Sequence, residues 1–490
     1  MSATKKTNQS NPRALRRVGP AGGSFCIGPV TIRSSVSGSS SPLPYPPPQA
    51  GEGREGGAGE PDTLHRIVTG PMQNEPPAGP TRRSARGLDW FVFFVADIQT
   101  GFGPFVAVYL TEQKWTQIDI GLILTVSGVV ALAGQMPGGA LVDAARSERL
   151  VAGLSVAVIA ISALAYAISP IFVVMLAAAA LHSLASCVLG PAIAAISLGL
   201  VGHEAIGDRL GRNARFASIG NGFAAAAMGA CGYFLSIRAV FFVTAALLAP
   251  AFLMLRLISP REIDPERAHG GPRERPAGKL APDILRLARK RPLVIFAACL
   301  MLFHLANAAM LPLMGSVLTM RSSQWATLMI ASSIVGPQLV VAIFSPWVGQ
   351  KAQAWGRRPL LLVAFAALPF RGVLFAMVTN PYALVAVQLL DGVTAAVFAV
   401  LVPLVIADVT RGTGHFNLGQ GIVGTMIGIG ASVSPTYAGY LSDHFSSPIA
   451  FLGLTAVAIL GFIAMWALMP ETRPVPRTAI GAGSSGRGDG

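Results

Sequence analysis

The residues of this chain that could do chemistry are a few polar and ionisable side chains stranded in apolar sequence. Asp97 and Gln99 sit in Ala96-Asp97-Ile98-Gln99-Thr100-Gly101-Phe102-Gly103-Pro104. His304 and Asn307 sit in Phe303-His304-Leu305-Ala306-Asn307, with Pro312 following. Arg371 and Asp391 lie in successive apolar stretches, on either side of a short turn at Asn380. Ionisable groups in such surroundings are costly and face a bundle interior or a water-filled cavity. The chemistry they suit is proton carriage and polar-ligand binding. Asp97 is the first candidate to carry a proton, because a neutral carboxyl is far less costly there than a carboxylate. His304 is a second candidate, since histidine titrates in the physiological range. Both polar runs are followed by proline, which breaks helix regularity and can turn backbone carbonyls toward a ligand. Arg371 and Asp391 fall at comparable depth on adjacent helices, at about 1.5 Å per residue. That predicts an intramembrane ion pair, serving either as an anion site or proton relay, or as a fixed brace. Gln135, His182, Asn221 and Gln388 are read as ordinary interhelix hydrogen-bonding residues.

Other chemistries lack their residues. No nucleophile and base stand out together, so an enzyme is not expected. Cys26, Cys187, Cys231 and Cys299 have no spacing that suggests a metal site or a disulfide framework. No metal or cofactor is expected. A G-x-x-x-x-G-K-[ST] loop is missing, so ATP is not the expected energy source.

The elements that must position these residues are membrane helices. The chain has 490 residues, 52% hydrophobic and 12% charged, against about 25% charged in soluble domains. Its mean hydropathy is +0.57. Such a chain takes lipid as its main solvent. The net charge of +14 sits in tails and certain loops, without the basic groove and interleaved aromatics of a nucleic-acid binder. Twelve stretches approach the roughly 20 apolar residues needed to cross the hydrocarbon. They run roughly 88–111, 118–141, 149–168, 171–200, 215–236 and 239–258, then 293–316, 325–348, 359–378, 381–408, 418–441 and 447–469. The expected organisation is a basic, disordered Pro/Gly/Ser-rich tail over 1–86, within which Met72 is an alternative start. A six-helix bundle follows over 87–259, a linker over 260–291, a second six-helix bundle over 292–470, and a disordered tail over 471–490. The end of the linker, Ile284 to Arg291, has the pattern of a short amphipathic helix on the membrane surface.

Two loops repeat one another about 210 residues apart. Gly139, Asp143, Arg146 and Arg149 close the second span; Gly349, Gln353, Gly356, Arg357 and Arg358 close the eighth. In each copy a glycine precedes a polar capping residue by four. Arginines gather in alternate loops: Arg146 and Arg149, then Arg209, Arg212 and Arg215, then Arg357, Arg358 and Arg411. The opposite loops hold Lys114, Arg238 and Arg321. The positive-inside rule therefore predicts that the linker and both termini are cytoplasmic. Gly134 and Gly138, and Gly424 and Gly428, are spaced for close helix packing at a gate.

On these loop motifs, together with Gly439-Tyr440-Leu441-Ser442-Asp443 and Pro470-Glu471-Thr472-Arg473, residues 88–473 resemble a major facilitator superfamily transporter. Three departures stand out. Arg146 replaces a glycine of the first loop motif, His182 stands where many members carry an arginine in span four, and span five lacks the glycine-proline signature of many exporters. The resemblance implies an all-α fold of twelve transmembrane helices in two six-helix bundles. It implies a central pathway lined by spans one and seven, hence by Asp97, Gln99, His304 and Asn307. Asp143, at the end of span two, is expected near the start of span eleven, where a carboxylate at a helix N-terminus is favourable by roughly 0.3–1 kcal/mol. Gln353, its uncharged counterpart, is expected to hold more weakly.

The function expected is proton-coupled export of small, partly apolar organic molecules by a monomer in the bacterial inner membrane. One alternative is an importer or facilitator of a small anionic metabolite, with Arg371 as its charge partner. Another is a non-transporting membrane sensor or assembly partner. The partners expected are a small-molecule substrate, protons and the lipid bilayer, and no nucleic acid.

Overall fold

A computed structural model describes residues 79–100, 103–272, 280–321 and 326–474. Among them there is no strand. The first half contains α1 (Arg82–Thr100), α2 (Gly103–Glu112), α3 (Gln117–Ala144), α4 (Glu148–Ile168), α5 (Phe172–Phe234), α6 (Ile237–Ala246) and α7 (Leu248–Leu257). The linker forms α8 (Pro265–Ala268) and α9 (Leu280–Ala288). The second half contains α10 (Arg291–Asn307), α11 (Met310–Arg321), α12 (Ala326–Trp355), α13 (Arg358–Met377), α14 (Pro381–Thr410), α15 (Phe416–His444) and α16 (Ser447–Leu468).

These helices make up twelve spans. α1 and α2 form the first, α6 and α7 the sixth, and α10 and α11 the seventh. α5 contains two: its apolar stretch Phe172–Gly232 has 61 residues, about 90 Å of helix, three times the hydrocarbon thickness of about 30 Å. It breaks at Gly202, whose φ of 68° and ψ of −178° suit a residue without Cβ. Local signals start several helices. The side chains of Thr116, Ser147, Ser236 and Ser446 accept N–H groups in the first turns of α3, α4, α6 and α16. Asn380 caps α14, with Pro381 at the first helical position.

The core is double. One buried cluster, including Leu88, Phe91, Ile159 and Phe241, belongs to the first half and adjoining linker. The other, including Phe296, Phe365 and Leu454, belongs mainly to the second half and draws Ala194, Leu198, Ile206 and Leu210 from α5. The halves meet chiefly along two seams, α3 with α15 and α5 with α12. The seams are copies of one another. Gly139 lies against the Asn417 backbone and Gly349 against the Gly207 backbone; Gly421 lies against Gln135 and Met136, and Gly211 against Ser345 and Pro346. Each contact maps onto its twin by a shift of 210 positions (139 to 349, 207 to 417).

Several expected boundaries move. α1 begins at Arg82, before residue 87, because Thr81 bonds Glu262 through its backbone N–H (2.9 Å) and hydroxyl (3.1 Å). Span eleven, expected to end near 441, runs on as α15 to His444 and takes in Ser442 and Asp443. The second tail does not start at 471: the Glu471 carboxylate accepts the backbone N–H groups of Arg357 and Arg358 at 2.9 and 3.0 Å. The amphipathic helix is α9, ending at Ala288; Leu287 is buried, while Arg286 and Arg289 are exposed. The calls on residues 1–78, Met72 among them, and on 475–490 lie outside the described residues.

Candidate functional site: linker-side ties between the halves and mid-span polar residues

The linker-side ends of the halves are tied by Asp143. Its carboxylate accepts the backbone N–H of Leu418 (2.7 Å), the backbone N–H of Asn417 (3.1 Å) and the Asn417 side-chain amide (2.8 Å). These donors belong to the first turn of α15, where backbone N–H groups lack helical partners and the dipole favours an anion. Asp143 is buried, so water competes little. The linker joins the cluster: the N–H of Phe416 donates to the His269 carbonyl at 3.1 Å. The His269 ring lies 3.6 Å from the Glu148 carboxylate, both buried.

The matching corner works with opposite polarity. Gln353 is not a cap: its Nε2 donates to the Glu204 carbonyl at 2.9 Å. A Cβ on Gly207 would stand 2.9 Å from the Gly349 carbonyl, so a side chain there would force the seam apart. Charge enters this corner behind the seam. The buried Arg357 donates to the Asp408 carboxylate (2.8 Å) and to the Ala352 carbonyl (2.8 Å). Gly356, at φ 95°, turns the chain past the Glu471 carboxylate. Burial pushes the Glu471 carboxyl up, but the backbone N–H groups of Arg357, Arg473, Arg358 and Thr472 outweigh it and hold it below the ordinary 4.5. Arg146 is exposed, and the Arg149 Nε is buried without a hydrogen-bond partner. Neither bridges the halves through a hydrogen bond or ion pair seen here.

Substituting Asp143 with Ala is expected to weaken linker-side closure by about 1–3 kcal/mol, the cost of leaving buried N–H donors unsatisfied. Cross-linking between cysteines placed at the ends of α3 and α15 measures it. Cross-linking yields equal to the parent's would contradict this role.

The polar residues of the first and seventh spans lie mid-span. Near the end of α1, Asp97 is 1% exposed and its Oδ1 has no hydrogen-bond partner. Gln99 is half-buried. In the seventh span α10 ends at Asn307 and α11 starts at Met310. Pro312 removes the N–H that would close onto Ala308, while the N–H of Ala309 donates to Ser434 Oγ of α15 at 3.0 Å. The half-buried His304 ring stacks on Phe398 at 6.3 Å and its Nδ1 meets the Leu300 carbonyl at 2.9 Å.

Arg371 joins this second cluster. Its guanidinium donates to Asp391 Oδ1 and to Asn307 Oδ1, and lies 5.8 Å from the Phe375 ring. Arg371 is 2% exposed against 27% for the Asp391 side chain. The structure thus brings His304, Asn307, Arg371 and Asp391 into one neighbourhood of the second half, while Asp97 and Gln99 belong to the first. No hydrogen bond or ion pair joins Asp97 to them among the described residues. Gly134 and Gly138 face Cys187 of α5 within the first half, not the opposite half, whereas Gly424 and Gly428 face Gln135 and Leu132 across the seam.

Sequence reasoning missed Asn417, Asp408 and Asp89. The buried Asp89 pairs with Arg209 and, at 2.6 Å, with Arg212. Both arginines lie on α5 and are tied to Asp89, Arg209 buried and Arg212 exposed. A lone acid in an apolar run, as in Ile406-Ala407-Asp408, is the signal that could have found two of the three.

A family model described as Major Facilitator Superfamily matches residues 90–368 and 318–488. The chain belongs to the major facilitator superfamily. It is a multi-pass membrane transporter with that superfamily's fold. An uncharacterized MFS-type transporter of Mycobacterium tuberculosis is 40% identical over 397 residues, 80% of this chain and 94% of that protein. The class B tetracycline resistance protein of Escherichia coli is 30% identical over 131 residues, 26% of this chain and 32% of that one. Among solved structures, the E. coli fucose:proton symporter FucP superposes with a TM-score of 0.64 at 14% identity, over 78% of this chain and 97% of that one. The human organic anion transporter MFSD10 superposes with a TM-score of 0.59 at 15% identity, over 80% and 100%. At such identities these structures speak to the fold.

Proposed function

We propose that this superfamily member is a proton-coupled exporter of small, partly apolar organic molecules. It works by alternating access in the inner membrane, with linker and termini in the cytoplasm. The observation that carries the reading is Asp97. It is a buried carboxyl in the first span, without a hydrogen-bond partner for Oδ1. A carboxylate held in that way is expensive, and a group that gains and loses a proton during transport accounts for keeping it there. The partial likeness to a tetracycline resistance protein supports export, and the arginines on linker-side loops support the orientation. The ties that Asp143 and Gln353 make between the halves support a gate role for the linker side. The anionic-metabolite reading finds less support, because Arg371 is buried against its own acid.

Reconstitution of the full chain in liposomes, with an imposed proton gradient and a panel of amphiphilic compounds, tests the proposal. At least one compound is expected to accumulate against the direction of proton flow. Accumulation with the protons, or accumulation indifferent to the gradient, would overturn it.

A further inference from the structure

A proline inside a helix leaves the carbonyl four residues earlier without its N–H partner. In α12 that proline is Pro346 and the freed carbonyl is Ala342. The partner comes from the other half: Arg215 of α5 donates its Nε to the Ala342 carbonyl at 3.0 Å. Gly211, one turn earlier on α5, lies against the Ser345 carbonyl and Pro346. The backbones therefore touch where the guanidinium reaches across.

The twin seam lacks this device. A shift of 210 positions carries Pro346 to Met136, Ala342 to Leu132 and Arg215 to Thr425. Met136 has an N–H, so the Leu132 carbonyl can be satisfied within α3. Thr425 turns its hydroxyl onto the Gly421 carbonyl of its own helix at 2.9 Å. The copy has a proline one position further on, Pro137, but Thr425 stands where the other seam has Arg215, so the charged donor is what the copy lacks. The other seam carries its charge in Asp143. Each seam thus has a charged tie to backbone, at a different depth and of opposite sign.

We propose that Arg215 is a positioning residue of the transport cycle, a clasp on the proline-freed carbonyl of Ala342 that holds the halves together on the linker side. When the halves rock apart, the carbonyl loses its donor, and re-forming the bond favours the closed state. The proposal rests on membership of the transporter superfamily and not on the direction or coupling of transport.

The test uses full-length protein in liposomes and reads labelling of a cysteine placed on the linker side of α12. Arg215→Ala is expected to raise the open fraction about tenfold, the size expected for a charge-assisted hydrogen bond. Arg215→Lys, which keeps a donor on a stem of similar length, restores closure. Pro346→Ala returns an N–H to the Ala342 carbonyl within α12, so adding Arg215→Ala to it changes labelling no further. Unchanged labelling in Arg215→Ala, or a full additional tenfold effect of that change in the Pro346→Ala background, would overturn the proposal. Should Pro346→Ala fail to fold, the alanine and lysine variants decide alone: a lysine variant as open as the alanine variant contradicts the clasp. Because labelling needs no substrate and no gradient, its outcome is separate from that of the export assay.

Discussion

Replacing Asp97 by asparagine is expected to abolish gradient-driven accumulation while leaving folding and downhill substrate movement in place. Asparagine keeps the size and polarity of the side chain but cannot take up or release a proton at neutral pH. Asp97 is 1% exposed, its Oδ1 has no protein donor, and an uncompensated buried carboxylate costs several kcal/mol. Removing the ionisable group therefore should not destabilise the first half, and melting in detergent should stay level or rise. Transport should separate into two parts: exchange of substrate down its own gradient continues, and uptake against it stops. Asp97→Glu, which keeps the carboxyl on a longer stem, should retain part of the coupled activity. An asparagine variant that accumulates substrate as the parent does would show that Asp97 is a packing residue and would move proton carriage elsewhere.

The second large effect concerns the pair in the other half. Arg371→Leu should destabilise the protein by about 3 kcal/mol, near the lower end for a broken buried pair, because the Asp391 side chain keeps 27% of its surface exposed. The loss includes the bond to Asn307, which ends α10 at the break in the seventh span. Asp391→Asn alone strands the arginine, which is 2% exposed, and should cost at least as much. The double change, Arg371→Leu with Asp391→Asn, removes both charges and should recover most of the thermal stability. If the pair is a brace, transport returns with stability. A double variant that melts like the parent but does not transport would place the pair in the translocation path.

The plan of spans was legible because hydropathy is local and the chain states it twice. The same doubling made the linker-side corners visible: a glycine, a capping residue four later, and arginines just beyond. Asp143 could be placed at the start of span eleven from a sequence resemblance and the dipole of a helix N-terminus. Its donors, Asn417 and Leu418, could not be named, since nothing in a sequence 274 positions away marks them. Gln353 shows the limit of reading a repeat as a copy. It occupies the position of Asp143, yet an amide can donate, and it turns to the Glu204 carbonyl instead of capping a helix. The Arg357, Asp408 and Glu471 group was illegible for the same reason, its members being brought together from α12–α13, α14 and the end of the chain. Arg209 and Arg212 looked like loop charges because a break at Gly202 inside one long helical run leaves no compositional trace beyond a glycine. Their partner, Asp89, lies 120 residues from Arg209.

The central claim is that substrate and protons pass in opposite directions through the seam between the two halves. It is tested most directly by following pH inside proteoliposomes as substrate is added without an imposed proton gradient. The account predicts a substrate-triggered pH change opposite in direction to substrate movement, present in the parent protein and absent in Asp97→Asn. Substrate movement with no pH change in the parent, or a pH change that survives Asp97→Asn undiminished, would contradict it.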